Sequence, residues 1–355
     1  MKIAVLVSGG VDSSVALKLL KEQGHELVAF YIKIWLEDEL SYLGDCPWEQ
    51  DLEYVRAVCE QEQIPLQVVS LQKEYWDQVV SYTIAQVKAG RTPNPDVLCN
   101  QRIKFGMFLQ HIDDSYDKIA TGHYAQVIMV DGVAQLHIAP DAIKDQTYFL
   151  SYLSQKQLQR ALFPIGHLDK AQVRQLAVDF NLPTAQRKDS QGICFLGKLK
   201  FSDFIKTQVG EKPGQMVEQE TGAFLGMHKG FWFHTIGQRQ GSGLSGGPWY
   251  VAAKDPVKNI VYMSRNYYSP DKERNQFVVE DLNWLTELVP TNTNLLVKIR
   301  HGKQLHECTV KQLPDNKWLV TLAYNDQGIA AGQFAVFYEG THCLGAGIIA
   351  EHRAN

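Results

Sequence analysis

The chain has 355 residues, 45% of them hydrophobic and 21% charged, with a formal net charge of −4. That balance is ordinary for a soluble globular protein and argues against a uniformly basic nucleic-acid binder, while leaving room for a local basic patch. No apolar run reaches the ~18 residues of a membrane span, and Met-Lys before a short strand is not a signal peptide, so a cytoplasmic chain of two or three domains is expected, with no membrane partner.

Ile3–Val7 is an unbroken apolar run and reads as a buried strand. Ser8-Gly9-Gly10-Val11-Asp12-Ser13-Ser14 follows it directly, and Val11–Gln23 has a helical pattern with Val15, Leu19 and Leu20 on one side. Strand, glycine turn and helix start together present unpaired backbone N–H groups and the positive end of a helix dipole, an arrangement that holds phosphate. The glycines allow positive φ and close approach of an anion. No Gly-Lys-Ser/Thr closes the loop, so it is not a Walker A turn.

Leu27–Ile34, Leu66–Val69 and Lys118–Ala120 read as further strands, with helices over Glu49–Gln63, Tyr75–Lys88 and Ile103–His111. This alternation predicts a parallel sheet covered on both faces. Ligands sit at the carboxyl ends of such strands, where Ser8–Ser13 and Thr121-Gly122-His123 both fall. A helix is expected over Lys170–Phe180, where Val173, Leu176, Ala177 and Phe180 share a face; Asp169 is its N-cap with Gln172 three residues on, and Asn181 and Pro183 stop it. Ser202–Gln208 reads as another short helix.

Beyond Pro213-Gly214 the pattern turns to short strands: Trp232–Ile236, Trp249–Ala253, Ile260–Ser264, Leu295–Arg300, Cys308–Gln312, Trp318–Thr321 and Ala335–Tyr338. Gly237–Pro248 is a glycine-rich loop, and Pro314-Asp315-Asn316 is a hairpin turn. The expected architecture is α/β: a parallel-sheet domain over 1–205, a small β-rich central domain over 206–275 and a β-barrel over 276–355.

Cys46, Cys59, Cys99, Cys194, Cys308 and Cys343 are scattered, with no Cys-x-x-Cys pair. Reduced thiols are expected, and no zinc or other metal cluster. Two cysteines stand in suggestive surroundings. Cys99 closes Arg91-Thr92-Pro93-Asn94-Pro95-Asp96-Val97-Leu98-Cys99-Asn100, where a helix beginning near Asp96 would promote the thiolate and Asp96 would manage a proton. Cys194 lies between glycines in Asp189-Ser190-Gln191-Gly192-Ile193-Cys194-Phe195-Leu196-Gly197. Thiolate chemistry commonly needs an attacking and a resolving sulfur, and the pair suits it. Cys46, Cys59, Cys308 and Cys343 read as packing residues.

The Ser8–Ser13 wording resembles the pyrophosphate loop, or PP-loop, of the N-type ATP pyrophosphatases, whose nucleotide-binding domain resembles the adenine nucleotide alpha hydrolases. Together with Arg91–Asn100, Lys104-Phe105, Ala120–Tyr124, Lys144–Leu150, Asp189–Gly197, His234–Gln240, Pro248-Trp249-Tyr250 and Gly332–Tyr338, the chain resembles the tRNA-specific 2-thiouridylases along nearly its whole length. The resemblance implies adenylation of the C2 oxygen of a wobble uridine by ATP, loss of pyrophosphate, and replacement of that oxygen by sulfur with release of AMP. Leu6, Val7, Ser8, Gly9, Gly10, Val11, Asp12 and Ser13 would hold the phosphates, and Ile32 and Gly122 the adenosine; the family often has Met where Ile32 stands.

By the same resemblance Cys194 would carry a persulfide and Cys99 would be its partner, ending in a disulfide with it or helping to release sulfide. Asn94, Pro95 and Asp96 would meet the target base, with Asp96 a catalytic acid or base. His123, Lys144, Asp145, Gln146, Arg300, His301 and Gln333 would touch tRNA, although the family expectation at position 301 is an aromatic such as Tyr. The cofactors implied are ATP and Mg²⁺, with Asp12 near enough to be a ligand. The partners implied are tRNAs of the Lys, Glu and Gln type and a persulfide donor protein. Arg187, Lys188, Lys198, Lys200, Lys206, Lys298, Arg300, Lys303 and Lys311 could form a basic stripe toward tRNA, and Arg239 either joins it or shapes a hinge. An amide or argininosuccinate-type ligase, which has no use for the two cysteines, and a non-catalytic tRNA-binding sulfur carrier are the competing readings.

Overall fold

Successive side chains of β1 (Lys2–Leu6) enter opposite cores of the computed structural model, which describes residues 1–34, 47–189, 200–269, 274–286 and 295–352. Ala4 and Leu6 join one apolar cluster with Phe30 and Ile119, while Ile3, Val5 and Val7 join another with Leu17, Leu20, Leu52 and Val55. A strand buried on both faces is what a parallel sheet between helical layers requires.

β1 pairs in parallel with β2 (Glu26–Lys33) on one side and β4 (Lys118–Ala120) on the other. β3 (Leu66–Ser70) extends the sheet beyond β2. The β5–β6 hairpin (Ala125–Val130 and Val133–Ile138) leaves this sheet, and the two-residue β7 (Ala161–Leu162) returns to it, giving the order β3-β2-β1-β4-β7. The chain winds outward in one direction from β1 to β3 and in the other from β4, so a ligand crevice opens beyond the carboxyl ends of β1 and β4.

Helix α1 (Val11–Glu22) and the Pro47–Gln61 helix cover one face. On the other face, the expected single helix over Tyr75–Lys88 is interrupted by a π-helical turn, Trp76–Val80, between Gln72–Tyr75 and Ser81–Lys88. The helix expected over Ile103–His111 does not form. Pro95–Leu98 makes one α-turn, Cys99–Lys104 a π-helical turn and Met107–His111 a 3-10 helix. Gly106 causes the break: its ψ is −93°, and a Cβ there would fall 2.2 Å from the Arg102 carbonyl oxygen. The Lys170–Asp179 helix keeps its expected cap, with Asp169 accepting from the Gln172 amide at 2.8 Å and the Gln172 side chain returning to the Asp169 amide at 2.9 Å.

The central unit is a four-stranded sheet of β8 (Gly214–Glu218), β9 (Phe224–His228), β10 (Tyr250–Asp255) and β11 (Ile260–Ser264), ordered β10-β11-β8-β9. The strand expected over Trp232–Ile236 is instead a 3-10 turn, Phe231–Phe233. Neighbouring Phe231 and Trp232 rings pack edge-on at 5.0 Å, which the alternating sides of a strand would prevent.

β12 (Gln276–Trp284), β13 (Leu295–Lys298), β14 (His306–Gln312), β15 (Trp318–Leu322), β16 (Phe334–Glu339) and β17 (His342–His352) run in the order β12-β15-β14-β13-β16-β17. Pairing of β12 with β17 closes this six-stranded barrel. Positive φ at Asp315 (59°) and Asn316 (54°) makes the turn after β14 a tight hairpin turn, as the sequence predicts. Unforeseen was the attachment of β6 to β17, through His137–His342 and Leu136–Cys343. The hairpin inside the first 205 residues thereby becomes an extension of the barrel wall. Among the described residues no helix is long and apolar enough to cross a membrane.

Candidate active site

Leu6 ends β1, and Val7 is held by its amide donating to the Phe30 carbonyl at 2.9 Å. The chain then turns through Gly9, at φ 72°, and enters α1 at Gly10, whose extended conformation (φ −81°, ψ 160°) is that of an N-cap without a capping side chain. Ser13 and Ser14 turn their hydroxyls back to the Gly10 carbonyl, at 3.1 and 2.9 Å, and the Ser8 amide donates to Ser13 Oγ at 3.2 Å. Gly10 makes no side-chain cap, which leaves the first N–H groups of α1 to be met at the crevice. From β4, Gly122 packs so closely that a Cβ there would lie 2.6 Å from the Ser13 nitrogen. Ile32, half-buried near the carboxyl end of β2, lies two residues beyond Phe30, the partner of Leu6 in the sheet.

A network of ion pairs surrounds this loop. Asp12 accepts from Lys170 Nζ at 2.7 and 2.9 Å and from the Tyr124 hydroxyl at 2.7 Å. Lys170 also reaches Asp189 at 2.9 Å, and Asp189 is bonded in addition to Lys144 at 2.7 Å and to Arg174. Burial alone would raise the Asp189 carboxyl, but hydrogen bonds from Lys144 and Lys170 hold it well below the usual range. On the other side, Arg187 donates to the Gly9 carbonyl at 2.7 Å, pairs with Asp51 and stacks on Tyr54 at 4.5 Å. A side chain at Gly9 would come within 2.7 Å of that guanidinium.

The second candidate cluster is gripped by the barrel. Asn94 caps the Pro95–Leu98 turn, with Pro95 at its first position and the Val97 amide donating to Asn94 Oδ1 at 3.4 Å. The Thr92 amide donates to the Ala331 carbonyl at 2.7 Å, Gln333 Nε2 to the Thr92 carbonyl at 2.8 Å, and Arg91 pairs with Glu280 at 3.1 Å. Asp96 is half-buried. Its charge is felt by His301, whose ring packs on Phe149 at 4.5 Å; burial lowers the His301 pKa, aided by Lys298 and opposed by Asp145 and Asp96. Cys99 is only 1% exposed and follows a full α-turn, so it does not stand at the helix N-terminus expected for it. Cys194 and Cys46 lie outside the described residues, as does Lys198.

The residues expected at tRNA occupy varied settings. His123 is 8% exposed, bonded to Thr121 Oγ1 at 2.7 Å and packed on Phe163; burial, with Lys104 nearby, pushes its pKa well below the usual value. Asp145 is also buried, accepting from the Ala139 amide, Thr147 and Lys298. Gln146 accepts from the Tyr124 amide at 2.9 Å. Lys144 is half-buried against Asp189, and Gln333 is engaged by Thr92 and Tyr148. Arg300 is half-exposed and makes a bidentate pair with Asp326 at 2.8 and 2.7 Å. Burial raises the thiol pKa of Cys59 to about 11 and of Cys308 to about 12, in keeping with packing roles; Cys343 is likewise raised to about 12, chiefly by burial.

Sequence reasoning passed over Lys170, Tyr124 and Asp51 as members of the site. One signal was present: a lysine in the first turn of a helix opposes the helix dipole and calls for an anion nearby. Which anion it meets depends on packing across 158 positions.

The switch-point loop and the closed barrel define a nucleotide-binding α/β domain of the PP-loop kind, joined through a small β unit to a β-barrel. Three family models match in series: tRNA methyl transferase HUP domain over residues 1–198, tRNA methyl transferase PRC-barrel domain over 202–265, and Aminomethyltransferase beta-barrel domain over 274–349. The tRNA-specific 2-thiouridylase MnmA of Parabacteroides distasonis is 47% identical, over 98% of this chain and 99% of that one. The enzyme of the same name from Porphyromonas gingivalis is 44% identical over 99% and 100%. Among solved structures, the tRNA thiolase NcsA of Methanococcus maripaludis matches 59% of this chain and 65% of that one at 18% identity and a TM-score of 0.36. The chain belongs to the tRNA-specific 2-thiouridylase family.

Proposed function

We propose that the protein is an ATP-dependent tRNA 2-thiouridylase, a sulfurtransferase that works in the cytoplasm. The observation that carries the reading is the uncapped start of α1 at the sheet's switch point, in a chain whose full-length relatives bear that name. The carbonyl oxygen at uracil C2 is a poor leaving group. Attack of that oxygen on the α-phosphate of ATP, with pyrophosphate expelled, converts it into part of AMP. The Leu6–Ser13 segment binds the phosphates, chiefly through its amides, and Gly122 and Ile32 border the adenosine.

The outer sulfur of a Cys194 persulfide then adds at C2 and AMP leaves. Attack of the Cys99 thiolate on the Cys194 sulfur breaks the S–S bond, leaves sulfur on the base, and gives a Cys99–Cys194 disulfide for a thiol reductant to reopen. Asp96 moves the proton, and Asn94 and Pro95 border the flipped base. Lys144, Gln146, Arg300 and His301 face tRNA of the Lys, Glu or Gln type, with His123, Asp145 and Gln333 supporting those surfaces from within. The unit 1–205 carries the nucleotide and sulfur chemistry with part of the tRNA contact, 206–275 joins it to the barrel, 276–355 adds further tRNA contact, and a persulfide protein supplies the sulfur.

Mg²⁺ would neutralise the phosphates. Among the described residues no three His, Cys, Asp or Glu side chains stand together; Asp12 would be a carboxylate ligand beside the phosphates, which suits an ion that keeps several of its waters. Incubation with ATP, a persulfide donor and unmodified tRNA, followed by nucleoside mass analysis, tests the reading. 2-Thiouridine with AMP and pyrophosphate is expected; pyrophosphate release that needs an amine and ignores tRNA would mark a ligase instead.

A further inference from the structure

We propose that Lys170 is the side chain that holds the β- and γ-phosphates of ATP and carries the charge of the departing pyrophosphate. The inference rests on the reading that the Ser8–Ser13 loop binds ATP. It adds a group that the loop itself lacks, because the loop offers amides and hydroxyls but no cation.

Among the described residues Arg187 and Lys170 both reach the loop, and their partners differ. Arg187 is committed to the loop's shape: it holds the Gly9 carbonyl at 2.7 Å, pairs with Asp51 and lies over the Tyr54 ring at 4.5 Å. Among the described residues Lys170 hydrogen-bonds to carboxylates, Asp12 at 2.7 and 2.9 Å and Asp189 at 2.9 Å, with the Tyr124 ring 5.9 Å from its Nζ. Each of these carboxylates has another partner. Asp12 keeps the Tyr124 hydroxyl at 2.7 Å, and Asp189 keeps Lys144 at 2.7 Å together with Arg174.

The ammonium can therefore turn toward an incoming phosphate without stranding either carboxylate. It is also pre-placed, since Lys170 opens a helix fixed by the Asp169–Gln172 capping box, and its own amide donates to Asp141 at 3.1 Å. When the bond between the α- and β-phosphates breaks, negative charge builds on the pyrophosphate. A fixed, largely dry cation at that point stabilises the transition state more than the ground state.

The test compares ATP, ADP and AMP binding to the full-length protein and to Lys170→Met and Lys170→Arg, by calorimetry, with thermal midpoints to verify folding. Lys170→Met should lose roughly tenfold to a hundredfold in ATP affinity, the scale of one charge-assisted hydrogen bond, while AMP affinity holds within about twofold. Pyrophosphate release in the presence of tRNA should fall roughly a hundredfold or more, and Arg should restore part of both losses. Equal weakening of ATP and AMP, or unchanged ATP binding, overturns the assignment. Failure of the unmodified protein to bind ATP would instead remove the nucleotide reading on which it rests.

Discussion

Lys298 Nζ lies 2.7 Å from Asp145 Oδ2, and the two side chains are 2% and 1% exposed. Lys298 ends a barrel strand, whereas Asp145 precedes the Thr147–Leu150 turn of the α/β unit, so a buried charge pair joins the barrel to the α/β unit. Asp145 is further satisfied by the Ala139 amide and the Thr147 hydroxyl.

Removing one partner of a buried pair strands the other charge. Lys298→Met should cost about 3–5 kcal/mol in urea unfolding, and Lys298→Met with Asp145→Asn clearly less. Equal costs for the single and double variants would mean that the pair contributes nothing specific.

Gly122→Ala would place a methyl carbon 2.6 Å from the Ser13 nitrogen and push back the first turn of α1. Nucleotide affinity should fall by roughly tenfold or more for ATP and AMP alike, since the whole loop moves, unlike the effect expected at Lys170. Titration of both nucleotides distinguishes the two cases.

Cys99→Ser and Cys194→Ser should each abolish thiolation while ATP binding survives, whereas Cys59→Ala and Cys308→Ala should leave thiolation in place. The buried Cys59 and Cys308 thiols, with pKa raised to about 11 and about 12, should also resist alkylation at pH 8 in the folded protein. Full thiolation by either serine variant would sink the sulfur mechanism.

His234 is 7% exposed, and burial, reinforced by His228 and Lys254, lowers its pKa to about 4. The unfolded chain, with an ordinary histidine near pKa ~6.5, takes up the proton first as pH falls. Stability should therefore be full above pH ~6.5 and drop progressively toward pH 4, by on the order of 3 kcal/mol from this group. His234→Phe should flatten that part of the curve in thermal melts between pH 4 and 7.

Arg300 is half-exposed and oriented by its bidentate pair with Asp326. Arg300→Ala should weaken tRNA binding and reduce the magnitude of the salt slope by about one phosphate contact. Filter binding across a salt series would show this, and an unchanged slope would remove Arg300 from the tRNA surface.

The parallel sheet, the strand–glycine–helix turn and the capped Lys170–Asp179 helix were legible in the chain because each depends on neighbours within a few residues. Apolar alternation, glycine placement and capping chemistry are local signals. The same locality explains the errors: Gly106 broke an expected helix, and packed aromatics at Phe231 and Trp232 overrode an expected strand.

By itself the sequence determined where the strand–glycine–helix turn lies and that a β-rich half follows an α/β half. Only the tertiary structure decided that β6 joins β17, that Lys170 meets Asp12, and that Asp145 faces Lys298 rather than solvent. A charged side chain carries no local mark of its partner. Pairing across more than a hundred residues is set by which surfaces the packed sheets and helices bring together, and that choice exists only in the folded chain.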